Sequence, residues 1–210
     1  MGGRGDVGYT ADVQRISAGT LRGRVLRSLP ESLRGLRPTG SRVREAIFDR
    51  LQHEVRGAAV LDLFAGSGAL AFEALSRGAG RATLVERHPT VVRHLQGQIR
   101  ELALGDAAQV FHGDAVTFLR RPAHGPLAGP YDLIFVDPPY EDTAAQVAVI
   151  GPALVAGSWL AAHAIVVCEY DRAGGRALSA WPAELVVETT RTYGQTAVDF
   201  LRYTRRGDPT

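Results

Sequence analysis

Val60-Leu61-Asp62-Leu63-Phe64-Ala65-Gly66-Ser67-Gly68-Ala69-Leu70-Ala71-Phe72-Glu73-Ala74-Leu75 decides the fold of this chain. From Ala58 to Phe64 every residue is apolar except Asp62, as in a strand buried on both faces. Gly66 and Gly68 supply a tight turn, and Ala69 to Arg77 reads as a helix closed by Gly78. Strand, glycine turn and helix form a nucleotide-binding corner, where a cofactor approaches bare backbone at a helix N-terminus. The spacing Gly66-x-Gly68-x-x-Ala71 also fits the dinucleotide fingerprint, so on this segment alone NAD competes as the ligand.

Acids at the ends of the following apolar runs favour S-adenosylmethionine. Asp62 lies four residues before the first glycine, where a carboxylate can meet the cationic amino group of a bound amino acid. Ala82-Thr83-Leu84-Val85 ends in Glu86-Arg87, and an acid 18 residues past Gly68 suits the ribose hydroxyls that both cofactors carry. A third run, Ala108-Gln109-Val110-Phe111, leads to His112-Gly113-Asp114-Ala115. There Asp114 can accept from an adenine amine while Phe111 or Ala115 lines the ring. Singly, Glu86 and Asp114 read as solvated strand-end acids; in order along the chain they outline a cofactor site.

The fourth run, Tyr131-Asp132-Leu133-Ile134-Phe135-Val136, ends in Asp137-Pro138-Pro139-Tyr140. The prolines lack N–H groups and fix φ, so the carbonyl between carboxylate and ring points in one direction. The Asp137 carboxylate and the Pro138 carbonyl can each accept a hydrogen from a planar amine, and Tyr140 can stack on its plane. An amine nitrogen on a nucleobase is a poor nucleophile because its lone pair is delocalised into the ring. Two acceptors aimed at its hydrogens favour the pyramidal geometry that frees the lone pair. The motif therefore reads as a methyl-transfer site for an exocyclic amine, with Asp137 to Tyr140 as the catalytic group.

Asp62-Leu63-Phe64-Ala65-Gly66-Ser67-Gly68 together with Asp137-Pro138-Pro139-Tyr140 resembles the class I amino-methyltransferases. Three flanking segments narrow this: Arg15-Ile16-Ser17-Ala18-Gly19 with Leu21-Arg22-Gly23-Arg24, Leu36-Arg37-Pro38-Thr39, and Arg42-Val43-Arg44-Glu45-Ala46-Ile47-Phe48. With the closing Arg191-Thr192-Tyr193-Gly194-Gln195-Thr196, they resemble the RsmD family, bacterial enzymes that methylate guanine N2 in 16S ribosomal RNA. The resemblance spans about Arg15 to Arg202 and implies S-adenosylmethionine as donor, held by Asp62, Phe64, Ala65, Gly66, Ser67, Gly68, Glu86, Arg87, Gly113, Asp114 and Ala115. A chain of this size with a short arm has little means of finding one base unaided, so a 30S subunit or assembly intermediate is expected as the partner, and a cytoplasmic, monomeric enzyme is expected. Adenine N6 in DNA or a glutamine amide also suits such a tetrapeptide, and a ribosome assembly factor with incidental methylation is the alternative of another class.

Composition agrees with an RNA enzyme. The chain has 210 residues, of which 45% are apolar, and all 24 basic residues are arginine. Without lysine there is no lysine-bearing P-loop and no Schiff base. Mean hydropathy is near zero and no apolar run reaches the roughly 18 residues of a membrane span. The single cysteine, Cys168, lies in an apolar run and is expected as a buried thiol, and the six histidines have no metal-ligand spacing, so no metal is expected. Residues 1–56 hold 11 arginines against six acids, a net of +5 in a chain of net +2, so the remainder is near −3. This asymmetry suggests a phosphate-binding arm, with Arg15, Arg22, Arg24, Arg27, Arg37, Thr39, Arg42 and Arg44 as candidate RNA contacts.

The expected architecture is a Rossmann-like α/β fold, with a seven-stranded, mostly parallel sheet carrying one antiparallel strand. Residues 1–14 and 205–210 are expected as tails, 15–56 as a basic hairpin and helix, and 57–204 as the methyltransferase domain. The helix runs from Ser41 to Gln52 on an apolar stripe of Val43, Ile47 and Leu51. Further helices are expected over 90–104 and 144–156, a fifth strand over Ala164–Tyr170, and a closing pair over Glu184–Arg191 and Ala197–Thr204.

Overall fold

Five parallel strands and one closing hairpin build the sheet. They are β1 (Ala59–Asp62), β2 (Arg81–Glu86), β3 (Ala108–His112), β4 (Tyr131–Val136), β5 (Leu160–Asp171), β6 (Leu185–Tyr193) and β7 (Thr196–Tyr203). Their order is β3-β2-β1-β4-β5-β7-β6, with β7 antiparallel to both its neighbours. The structure, a computed structural model, describes residues 14–29, 40–122, 125, 127–139, 142–173 and 181–205. Tyr140, Arg37, Thr39 and most of both expected tails lie outside the described residues. The chain builds outward from β1 through β2 to β3, then crosses to β4 on the other side of β1. Neighbouring connections therefore leave in opposite directions between β1 and β4, and a crevice opens at the carboxyl ends of that pair.

Alternation along the strands feeds two cores. Leu133, Phe135, Ile165, Val167, Val198 and Phe200 face a layer made by α1 (Ser41–Arg50), α2 (Ala69–Ser76) and α3 (Pro89–Glu101). Ile134, Val136, Val166 and Leu201 face α4 (Ala115–Leu119) and α5 (Thr143–Ala156). The central strands are buried on both faces, which explains their near-continuous apolar runs. Two expectations change. The fifth strand begins at Leu160 rather than Ala164, and its start Leu160-Ala161-Ala162-His163 carries weak β-formers, with His163 at φ 60°. The short helix α4 was not expected; its signal is Asp114, whose side chain caps it by accepting from the Thr117 N–H at 2.8 Å.

The basic amino-terminal segment does form a hairpin, closed by an Arg15–Val25 bridge, but it has no core of its own. Ile16 and Leu26, each 1% exposed, pack with Val43, Ile47 and Phe48 into the core that also takes α2 and α3. Its tip lies on the carboxyl end of α2: Thr20 N–H donates to the Ser76 carbonyl at 2.8 Å and Leu21 N–H to Ser76 Oγ at 2.9 Å. Gly19 permits this approach, since a Cβ there would fall 1.8 Å from the Ser76 carbonyl oxygen.

Glu73, fully buried in α2, fastens the hairpin. It accepts from Ser17 N–H at 2.8 Å, Ser17 Oγ at 2.7 Å, Ala18 N–H at 3.1 Å and Arg77 Nε at 2.8 Å. Arg44 of α1 reaches the same carboxylate at 3.5 Å and donates to the Arg15 carbonyl at 2.7 Å. Burial pushes the Glu73 carboxyl upward, but the Ser17 bonds and the Arg77 pair overcome it and hold the group below its ordinary range.

Glu73→Gln leaves the Arg44 guanidinium buried without its counter-charge and should cost about 3–5 kcal/mol of stability at pH 7. Because the folded-state acid is depressed, its contribution exists above the unfolded pKa and is lost as pH falls through the folded one. Denaturant unfolding should therefore show the gap between wild type and variant narrowing below about pH 4. A gap of under about 1 kcal/mol at pH 7 would remove Glu73 from this role.

Candidate active site

The glycine corner is built as its sequence requires. Gly66 and Gly68 adopt φ 50° and 78°, and Gly68 caps α2. A Cβ on Gly68 would come 2.3 Å from Phe72 and 2.8 Å from Leu95, so helix and turn close only over a glycine. Ala65 N–H donates to the Val85 carbonyl at 3.0 Å, which ties the turn to β2. Ser67 Oγ donates to Gln14 Oε1 at 2.9 Å, so the start of the hairpin touches the corner directly. Gln14, expected in the tail, is thus an ordered part of the hairpin, its carbonyl accepting from Leu26 N–H at 2.8 Å.

The strand-end acids sort into different environments. Asp62 is 1% exposed, with Oδ1 3.4 Å from Phe64 N–H. Glu86, 8% exposed, divides its carboxylate between Gly66 N–H at 3.1 Å and His88 N–H at 2.8 Å. It therefore braces the glycine turn, and each oxygen retains a lone pair for a hydroxyl. Asp114 is exposed and bonded to both Thr117 N–H and Thr117 Oγ, at 2.8 and 2.7 Å. These bonds hold its carboxyl below the ordinary range. Asp137 ends β4 half-buried, and Pro138 is buried behind it. The Pro139 carbonyl accepts from Asp142 N–H at 2.9 Å and Thr143 Oγ1 at 3.4 Å, which binds the proline step to the start of α5.

Asp62, Glu86 and Asp137 act on one another. Asp62 pairs with Phe135 in the sheet, two residues before Asp137. Burial first, then the negative field of Asp137 with a contribution from Glu86, pushes the Asp62 carboxyl up to about 7 against the Phe64 N–H. The negative field at Asp62 favours a cationic group beside it. Among the described residues no group of three or more His, Cys, Asp or Glu side chains is arranged to hold a metal ion.

The arginine candidates separate by burial. Arg22 and Arg42 are exposed. Arg15 donates to the Gly23 carbonyl at 3.2 Å, Arg24 to the Glu101 carbonyl at 2.7 Å, and Arg27 pairs with the Glu101 carboxylate, all near the surface. Arg44 is a correction: at 1% exposure and committed to Glu73 and the Arg15 carbonyl, it cannot contact RNA. It lies one residue from Val43 in the helical stripe, and a charged residue beside an apolar stripe is ordinarily read as solvated. Cys168 is buried as expected, and burial pushes its thiol well up.

The family described as "Conserved hypothetical protein 95" matches residues 14–202. The chain belongs to it. This is the RsmD-like methyltransferase family. The chain is 36% identical over 194 residues to "Ribosomal RNA small subunit methyltransferase D" of Escherichia coli, covering 92% of each. It is 37% identical over 159 residues to the protein of that name from Haemophilus influenzae, covering 75% of this chain and 79% of that one. The solved structure of the Escherichia coli protein yhhF superposes with a TM-score of 0.79 at 33% identity, over 91% of this chain and 98% of that one. An RNA methyltransferase from Salinibacter ruber, solved with S-adenosyl-L-homocysteine, shares the fold at 16% identity and a TM-score of 0.59. No helix of the described residues is long and apolar enough to cross a membrane.

The residues fit S-adenosylmethionine, the donor that membership of a methyltransferase family implies. The corner at Gly66–Gly68 leaves backbone exposed to a ligand, Glu86 stands one strand away, and Asp62 beside Asp137 supplies negative field for an ammonium or sulfonium group. Asp62 accordingly costs the ligand-free fold stability as it ionises. Its folded-state pKa is raised, so its contribution is most favourable in acid and declines as pH rises from about 4 to about 7. The displacement is worth at most on the order of 4 kcal/mol. Asp62→Asn should therefore melt higher than ligand-free wild type at pH 8, with an advantage that shrinks toward pH 4, while donor affinity falls. Thermal melts of both proteins across that range test this; an advantage that does not change with pH would contradict the assigned environment.

Proposed function

We propose that this protein transfers a methyl group from S-adenosylmethionine to the exocyclic N2 amine of one guanine in small-subunit ribosomal RNA. The observation that carries this reading is the meeting of Asp62 and Asp137 at the switch point of the sheet. One carboxylate lies buried beside the glycine corner, and the other opens the Asp-Pro-Pro-Tyr turn on the adjacent strand. The names of the Escherichia coli and Haemophilus influenzae relatives support small-subunit ribosomal RNA as the substrate class.

The bound donor supplies an electrophilic methyl group on a cationic sulfur. Asp62 and the glycine corner hold its amino-acid end, Glu86 its ribose, and Gly113 to Ala115 its adenine. Asp137 and the Pro138 carbonyl accept the two hydrogens of the target amine, which turns its lone pair out of the ring. Tyr140 stacks on the extruded base. The fixed proline step makes this largely catalysis by positioning. The Asp137 carboxylate is the acceptor nearest the proton that the amine sheds on methylation. Arg22 and Arg42 hold phosphate, with the outer N–H groups of Arg15, Arg24 and Arg27 beside them.

Small ribosomal subunits lacking endogenous methylation, incubated with labelled S-adenosylmethionine, should yield N2-methylguanosine at one site by nucleoside mass spectrometry. Label in DNA or protein instead would overturn the substrate. Asp137→Ala should lower turnover by at least about a thousandfold with donor affinity kept within a few-fold; near-wild-type turnover would refute the role of Asp137. Arg22→Glu with Arg42→Glu should weaken RNA binding and reduce its salt slope by roughly two. An unchanged slope would move the RNA face elsewhere.

A further inference from the structure

A fifth acid, near the end of β5, continues the row of Asp114, Glu86, Asp62 and Asp137 across the sheet. Strand β5 pairs with β4 through Leu133–Ile165, Phe135–Val167 and Val136–Cys168, and that register, carried one position past the end of β4, brings Glu169 alongside Asp137. The partners Leu133, Phe135, Ile165 and Val167 share one core, and the two-residue alternation sets Asp137 and Glu169 on that same face. Strand β5 continues to Asp171, past the point where β4 gives way to the proline turn. Glu169 pairs with Val198 of β7 on its other side and is 5% exposed, and the β4–β5 register puts it one inter-strand spacing (about 4.8 Å) from Asp137.

We propose that Glu169, flanking Asp137 across the β4–β5 pair, is a specificity-determining residue that selects guanine by accepting its N1 hydrogen. The inference rests on the methyl-transfer reading above and adds the element that chooses the base. The amines in question differ in their neighbours. In guanine the N2 amine adjoins N1, which carries a hydrogen. In adenine the N6 amine adjoins an N1 that is a bare acceptor, in cytosine the N4 amine adjoins a bare N3, and in a glutamine amide the neighbour is a carbonyl oxygen. The guanine amine is also flanked by the bare N3, so a carboxylate on its N1 side gains a charge-assisted hydrogen bond from guanine alone and faces a lone pair on the corresponding side of the other three. A buried acceptor left facing another acceptor is costly, which makes it a strong discriminator. Asp137 with the Pro138 carbonyl would serve any of these amines; Glu169 would not.

The experiment uses the rRNA position labelled by wild-type enzyme, rebuilt by ligation into small subunits with either guanine or 2-aminopurine there. 2-Aminopurine keeps the 2-amine but has a bare N1. Wild type should prefer guanine by at least about a hundredfold in kcat/KM. Glu169→Gln, whose amide can accept from the guanine N1–H or turn to donate to a bare N1, should bring the ratio of the two substrates near one, chiefly by raising kcat/KM on 2-aminopurine, with donor affinity unchanged. A Glu169→Gln protein that binds donor normally and keeps the wild-type ratio would overturn the inference. So would a wild type that methylates 2-aminopurine as well as guanine, a result that needs no variant to fold. Absence of N2-methylguanosine from the wild-type control would instead overturn the reading of function.

Discussion

The buried carboxylate of Glu73 is the constraint on which the arrangement of this molecule depends. It gathers two backbone N–H groups of the hairpin, one hydroxyl and two guanidinium groups around a single side chain of α2. A buried acid with fewer partners would be a net cost; with this many charge-assisted bonds it orients three elements at once. The helix so held is the one whose amino end forms the glycine corner. The hairpin is therefore not an arm hung on a finished domain but part of what fixes the cofactor loop, as Gln14 touching Ser67 shows at the other end of α2.

The acids at the sheet edge follow the opposite logic. Glu73 is satisfied within the protein by charged partners, whereas Asp62 is buried under the repulsion of Asp137 and Glu86 with only backbone N–H groups, those of Phe64 and Ala71, to offset it. A chain selected for stability alone would replace it with an amide or a branched apolar residue. A carboxyl raised to about 7 in a dry place makes sense if a cation completes the site, since a bound cation would draw Asp62 fully to its charged form.

The sheet and its helices were largely legible from the sequence, because a strand buried on both faces is written as an apolar run and an acid at its end stands out. Asp62, Glu86 and Asp137 were found in this way. Glu169 carries the same mark, ending Val166-Val167-Cys168, yet the run continues into Tyr170 and the acid was read through as part of the strand. The short helix after Asp114 was missed for a related reason: the residue was weighed as a ligand when its local partner, Thr117, was three residues away. Arg44 went wrong because charge asymmetry counts residues without knowing their depth. Its partner Glu73 is 29 positions along the chain, a distance at which no periodicity speaks.

With Arg44 in the interior, the basic residues left on the hairpin face stand on a segment bonded through Glu73 and Ser76 to the carboxyl half of α2 and through Gln14 to Ser67 just before its amino end. A force on the hairpin reaches the glycine corner through one short, well-packed helix and not through a hinge. Packed cores transmit displacement with little compliance. If the hairpin is the RNA face proposed above, its hydrogen bonds to α2 couple that face to the cofactor corner through packed structure, so that RNA docking would deliver the base to a geometry already set by folding.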